Sequence, residues 1–101
     1  MKGSNLMNLT EINEKIYNEE AYPVYDVSVE YYTIDNKHKE EVYQFGCCSI
    51  NQALKDSIKK AIANGAFGWV NYKIAVSAYD YTNNKILGTV KNVKTDIHMI
   101  F

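Results

Sequence analysis

Residues 25–47 read YDVSVEYYTIDNKHKEEVYQFGC. Tyr25, Val27, Val29 and Tyr31 alternate with Asp26, Ser28 and Glu30. Period two of this kind puts apolar side chains on one face of an extended strand and polar ones on the other. Asp35-Asn36-Lys37-His38 follows as a turn, because Asp and Asn hydrogen-bond their own backbone and tolerate unusual dihedrals. Glu41 to Cys47 then returns as a second strand. Tyr43, Phe45 and Cys47 point one way, and Val42 and Gln44 the other. The stretch is a β-hairpin.

A helix follows it. Ser49-Ile50-Asn51-Gln52 fits a capping box, with Ser49 on the first free amides and Gln52 reaching back to the cap amide. Ala53, Leu54, Ile58, Ala61 and Ile62 make an apolar stripe, with Lys55, Asp56, Lys59 and Lys60 opposite. Asn64-Gly65 ends the helix, with Gly65 in the left-handed terminal position. Val70, Tyr72, Ile74, Val76 and Ala78 then alternate with Asn71, Lys73, Ser77 and Tyr79 as a third strand. Thr82-Asn83-Asn84-Lys85 is a hairpin turn, and Ile86 to Val93 is the fourth strand, with Gly88 marking a bulge. Ile97 to Phe101 is a short last strand or a docked tail. Upstream, Leu9, Ile12 and Ile16 predict a short helix over Thr10 to Glu19, capped by Thr10. Pro23 stops its continuation.

The expected fold is α+β, in the order α-ββ-α-ββ. It is a small antiparallel sheet of two β-hairpins, four to five strands, with the long helix on one face. At 101 residues the chain is read as a single domain, 1–101, with residues 1–8 a flexible leader.

The formal net charge of −1 offers no strong field for nucleic acid or membrane. The halves differ: residues 1–45 hold four Lys against nine Asp and Glu, and residues 46–101 seven Lys against three Asp. All basic residues are Lys, so no guanidinium fork is available for phosphate or guanine. The Lys, Asn and Ile content fits AT-rich coding, which points to a low-GC bacterium or its phages. No run approaches the ~20 apolar residues of a membrane span, and the first residues lack an apolar signal core. Two adjacent cysteines make no disulfide framework. A reducing, cytoplasmic setting in a bacterial host cell is expected.

Catalytic and metal chemistry find little footing. Cys47 and Cys48 point to opposite faces of a strand, so they do not share one metal, and only His38 and His98 remain as further zinc ligands. Cys48 precedes a helix N-terminus, where a thiolate is favoured, but packing explains both cysteines as well. The pairs Glu19-Glu20 and Glu40-Glu41 do not converge, so they read as solvated faces. Gly65-Ala66-Phe67-Gly68 follows a helix, precedes a strand and carries no basic residue, unlike a nucleic-acid-clamping G-x-x-G loop. No cofactor, no metal and no enzymatic activity are expected.

Aromatics carry the strongest functional signal. Nine of thirteen are Tyr. Tyr32, Trp69, Tyr79 and Tyr81 fall on outward strand faces, where Tyr and Trp commonly anchor protein interfaces. The plain alternative buries this second face under the N-terminal helix. The expected function is a non-enzymatic protein-binding module. Tyr32, Trp69, Tyr79 and Tyr81, with the acidic Glu11, Glu14, Glu19, Glu20 and Glu30, are its contact residues. The acidic set suits the basic surface of a nucleic-acid-binding effector. The narrower expectation is a phage or mobile-element inhibitor of a bacterial defence nuclease complex, anti-CRISPR-like, acting by surface occlusion. The competing reading is a sheet that stacks single-stranded nucleic acid. A homodimer through sheet edges is a further partner open to such a fold. No motif in the chain identifies a family.

Overall fold

Apolar alternation pairs the strands into one sheet, and the helices close over one of its faces. In the computed structural model, residues 8–46 and 49–100 are described. The elements are α1 (Leu9–Tyr17), β1 (Tyr22–Thr33), β2 (His38–Gly46), α2 (Ile50–Ala63), β3 (Ala66–Asp80) and β4 (Lys85–Met99). The strands form one antiparallel sheet in the order β2-β1-β3-β4. The two hairpins therefore adjoin through β1 and β3, the centre of the sheet. The readings placed on Cys47 and Cys48 lie outside the described residues.

Val27, Val29 and Tyr31 stand opposite Ile74, Tyr72 and Val70. Against them α2 packs Ala53, Ile58 and Ala61, with Leu54 half-buried beside them. Ser57 lies in the same stripe, buried, because its hydroxyl donates to the Ala53 carbonyl at 2.8 Å. Ile62, expected in the stripe, is exposed. Farther along the same face of β3, Val76 and Ala78 meet Ile12 of α1, with Leu87 and Val90 of β4 packed around them. Both helices thus share one face, which overturns the alternative of a second face buried under α1.

Several local expectations are corrected. Asn8, not Thr10, caps α1: its Oδ1 accepts from the Glu11 amide at 2.8 Å, and the Glu11 carboxylate accepts from the Asn8 amide at 3.4 Å. Asn8 therefore belongs to the fold rather than to a leader. The helix ends at Tyr17, before Glu19 takes φ 60°. Pro23 lies inside β1, where it pairs with Ala78 of β3. His38 begins β2 rather than ending the turn. Ser49 does cap α2, accepting from the Gln52 amide at 3.0 Å, but the Gln52 side chain donates to Asp56 instead of the cap. Gly65 takes φ 107° as expected, and β3 starts at once after it.

The tail is not a separate strand. β4 runs unbroken through residues 85–99, so the sheet has four strands. Ile74 pairs with Lys94 and Val76 with Val90, so Lys91, Asn92 and Val93 all stand against Ala75. Asn92, at φ 56°, makes that bulge. The extra residue near Gly88 is Leu87; Gly88 itself stays paired with Ala78. Ser77, expected on a polar face, is buried and bonded to Thr89 at 2.8 Å.

Ile12 is fully buried and is the main anchor of α1, whereas Leu9 is 45% exposed. Ile12→Ala is expected to lower unfolding free energy by about 2–4 kcal/mol, and Leu9→Ala by about 1 kcal/mol or less. Urea denaturation followed by circular dichroism checks the contrast; equal effects would mean that α1 is not docked through Ile12.

Candidate functional site

With both helices on one face, the other face of the sheet carries no helix among the described residues. Even-numbered residues of β1 and β2 and odd-numbered residues of the start and middle of β3 point there. Trp69 and Tyr79 lie ten residues apart on β3, which at ~3.3 Å per residue is roughly 33 Å. Four strands at ~4.8 Å spacing make the face on the order of 600 Å². That is the order of the ~800 Å² each partner contributes to a standard protein interface.

Each end of the face carries an aromatic group. At one end Tyr32 meets Trp69 edge to face, with centroids 5.8 Å apart, and lies 5.0 Å from the His38 ring. At the other end Tyr81 packs against Tyr22 at 5.2 Å and Tyr79 at 4.7 Å. The Tyr81 hydroxyl reaches over the sheet to Gly46 of β2, 3.7 Å from where a Cβ would stand. The Tyr79 hydroxyl donates to Asn84 in the β3–β4 turn, which fixes its ring.

A polar band lies between the ends. Glu30 accepts from Asn71 at 3.3 Å, and its other oxygen lies 2.8 Å from His38 Nε2. The His38 bond, then the Asn71 bond, hold the Glu30 carboxyl below the usual glutamate range. Glu40 stands directly opposite Glu30 in the register, and Gln44 donates to Asp26 at 3.0 Å. Asp26, Glu30 and Glu40 of β1 and β2 thus share this face with Lys73 of β3, and Lys91 of β4 stands in the bulge against Ala75. Two open depressions mark the band. One, of ≈ 500 Å³, is lined by Ser28, Glu30, Glu40, Val42, Asn71 and Lys73. The other, of ≈ 410 Å³, lies among Asp26, Gln44, Ser77, Tyr79, Tyr81 and Ile86.

The sequence-predicted contact residues separate into two sets. Tyr32, Trp69, Tyr79, Tyr81 and Glu30 share the open face. Glu11 and Glu14 lie on α1, and Glu19 and Glu20 in the link after it, with Glu20 paired to Lys15 at 3.4 Å. Since α1 packs on the covered face, these four do not join Glu30 and Asp26 in one acidic patch. Tyr22, His38 and Glu40 also lie on the open face. Tyr22 is in phase with Tyr32, but Pro23 hides the alternation. His38 reads as part of the turn in sequence, although it pairs with Tyr32. Glu40 and Glu41 read as one pair in sequence, whereas the strand sends them to opposite faces.

Glu41 serves the covered side. Its Oε1 accepts from Tyr31 at 2.6 Å and Tyr43 at 2.5 Å, and Asn64 at the end of α2 donates to both carboxylate oxygens. One carboxylate therefore ties β1, β2 and α2 together. Burial raises the Glu41 pKa, but the bonds from Tyr31, Tyr43 and Asn64 outweigh it, and the net shift is downward. Burial and the bond to Glu41 push Tyr43 up to about 12 and raise Tyr31 as well. Comparison with known protein families, curated proteins and solved structures finds no match to this chain.

The linkage has two limbs. A carboxyl with a lowered folded pKa stabilises above the ordinary value of 4.5 and loses that contribution as pH falls through the folded value. Phenols with raised folded pKa values stabilise fully below the ordinary value of 10.0 and lose it as pH rises through the folded values. Glu41→Gln is expected to cost about 1–3 kcal/mol at pH 7 and to flatten the acid limb below pH 4.5. Urea unfolding across pH checks this; an unchanged acid limb would mean Glu41 does not carry it.

Proposed function

We propose that the chain is a non-enzymatic protein-binding module that uses the open sheet face as its docking surface. One observation carries the reading. Both helices pack on the same face, so among the described residues a four-stranded surface with aromatic anchors at each end carries no helix. Tyr and Trp with little side-chain entropy to lose are effective interface anchors. Charge supports the class of partner. On β1, β2 and β3 the band sets Asp26, Glu30 and Glu40 against Lys73, which complements a basic surface and disfavours phosphate. The partner on this reading is a protein with a basic, nucleic-acid-binding surface, which the module occludes.

The narrower form of the proposal is a phage or mobile-element inhibitor of a bacterial defence nuclease, anti-CRISPR-like, acting in the bacterial cytoplasm. It rests on the acidic band and on the arginine-free, Lys-, Asn- and Ile-rich composition, which fits AT-rich coding. Among the described residues, no helix is long and apolar enough to cross a membrane, which fits such a setting. Direct stacking of single-stranded nucleic acid draws on the same aromatics, but it lacks arginine and a positive face.

Affinity capture from a low-GC bacterial lysate, with and without nuclease, followed by titration of the purified partner, tests the reading. Trp69→Ala and Tyr79→Ala are each expected to weaken the partner by about 2 kcal/mol, near thirtyfold. Charge reversal at Glu30 and Glu40 is expected to slow association and reduce its salt dependence. Reversal at Glu19 and Glu20 is expected to leave binding unchanged. Capture lost on nuclease treatment would replace the reading with nucleic acid. Capture untouched by Trp69→Ala and Tyr79→Ala would remove the open face from the proposal.

A further inference from the structure

The β1–β2 register sets Glu30 directly across from Glu40 and Tyr32 across from His38. Like charges facing each other across a strand pair repel. His38 bridges them: its Nε2 lies 2.8 Å from Glu30 Oε2 and 3.8 Å from Glu40 Oε1. One ligand atom from each of the three residues lies within 4.8 Å of the other two.

We infer that Glu30, His38 and Glu40 form a binding site for a zinc-class divalent ion, with its remaining coordination open to solvent. The donor chemistry selects the class. Magnesium and calcium take oxygen donors, whereas one imidazole with two carboxylates suits a transition-series ion. The spacing is close to what such an ion needs. Ligand atoms sit roughly 3.3 Å apart when each is about 2.0 Å from a tetrahedral centre. The observed separations of 2.8 and 3.8 Å bracket that value, and the side chains are exposed enough to adjust.

Neighbours outside the trio hold the ligands in place. Asn71 on β3 donates to Glu30 Oε1 at 3.3 Å, which leaves Oε2 aimed at His38. The Tyr32 ring lies against the His38 imidazole and is itself braced by Trp69. Outer groups of this kind orient metal ligands and set their affinity. Lys73, across from Ser28 on the same face, places a positive charge near Glu30 and works against tight binding. Binding weaker than at a closed four-ligand zinc site is therefore expected. The inference rests on the trio alone and holds whether or not the face docks a protein.

The test is isothermal titration of zinc chloride into the chelator-washed chain carrying Cys47→Ser and Cys48→Ser, which removes competing thiols. One ion per chain is expected, with magnesium chloride giving no saturable heat at the same concentration. His38→Gln and Glu30→Gln should each weaken zinc at least about tenfold, and Asn71→Ala about tenfold through orientation alone. On the unaltered chain, NMR of the imidazole rings gives a second readout that thiols do not confuse. Zinc should shift the His38 ring signals and leave those of His98 in place. Absence of saturable zinc binding would overturn the site. So would affinity unchanged by His38→Gln, or ring shifts confined to His98.

Discussion

Val27, Val29 and Tyr31 of β1 meet Ile74, Tyr72 and Val70 of β3 at the centre of the sheet, and the remaining structure depends on that register. A slip of one residue would turn every one of these side chains to the opposite face. The helices would then have nothing apolar to pack on, and the aromatics of the open face would be sent beneath them. Because the register holds, Ala53, Ile58 and Ala61 of α2 find a continuous apolar surface. The same alternation continues along β3 into Val76 and Ala78, which give α1 its seat. The open face is thus a consequence of where the apolar phase of the central strands lies.

The same alternation sorts the polar chemistry. Glu40 and Glu41 are adjacent in sequence, yet one joins His38 and Glu30 on the open face and the other collects Tyr31, Tyr43 and Asn64 on the covered face. Tyr31 and Tyr32 divide likewise: Tyr31 is fully buried with its hydroxyl on Glu41, and Tyr32 is exposed beside Trp69. Residue type alone does not separate these pairs. Position in the two-residue period does.

This explains which parts of the fold were legible. β1, β2, α2 and the middle of β3 follow clean periods, so their existence and facing could be read directly. β4 could not. Val90 and Val93 both pack toward the helices although they are three positions apart, and the bulge at Asn92 absorbs the odd residue. Read without the bulge, the pattern breaks there, and the last strand looks like a separate tail. The face chosen by α1 was equally hidden, because Tyr-rich strands suit either burial or exposure. Apolar Val76 and Ala78 on one side of β3, against Ser77 on the other, favour the covered face. The Glu30–His38–Glu40 cluster needed the cross-strand register, since eight residues and a turn separate Glu30 from His38.

The sheet edges bear on which surface associates. An exposed edge recruits other strands unless bulges or charges spoil it as a template. β4 carries two irregularities, at Leu87 and at residues 91–93, with Lys91 inside the second and Lys94 beside it. β2 begins His38-Lys39-Glu40-Glu41, so an incoming strand would meet a run of polar and charged groups along its first half. Both edges are therefore poor templates for strand addition. The open face differs: it is broad, its rings are braced by one another, and its acids are held by Asn71, His38 and Gln44. Preorganised groups lose less freedom on association than mobile ones. On the proposed reading, association by the face would be favoured over association by the edge for that reason, and the aromatic groups at its two ends would give a partner two separated points of contact that fix its orientation.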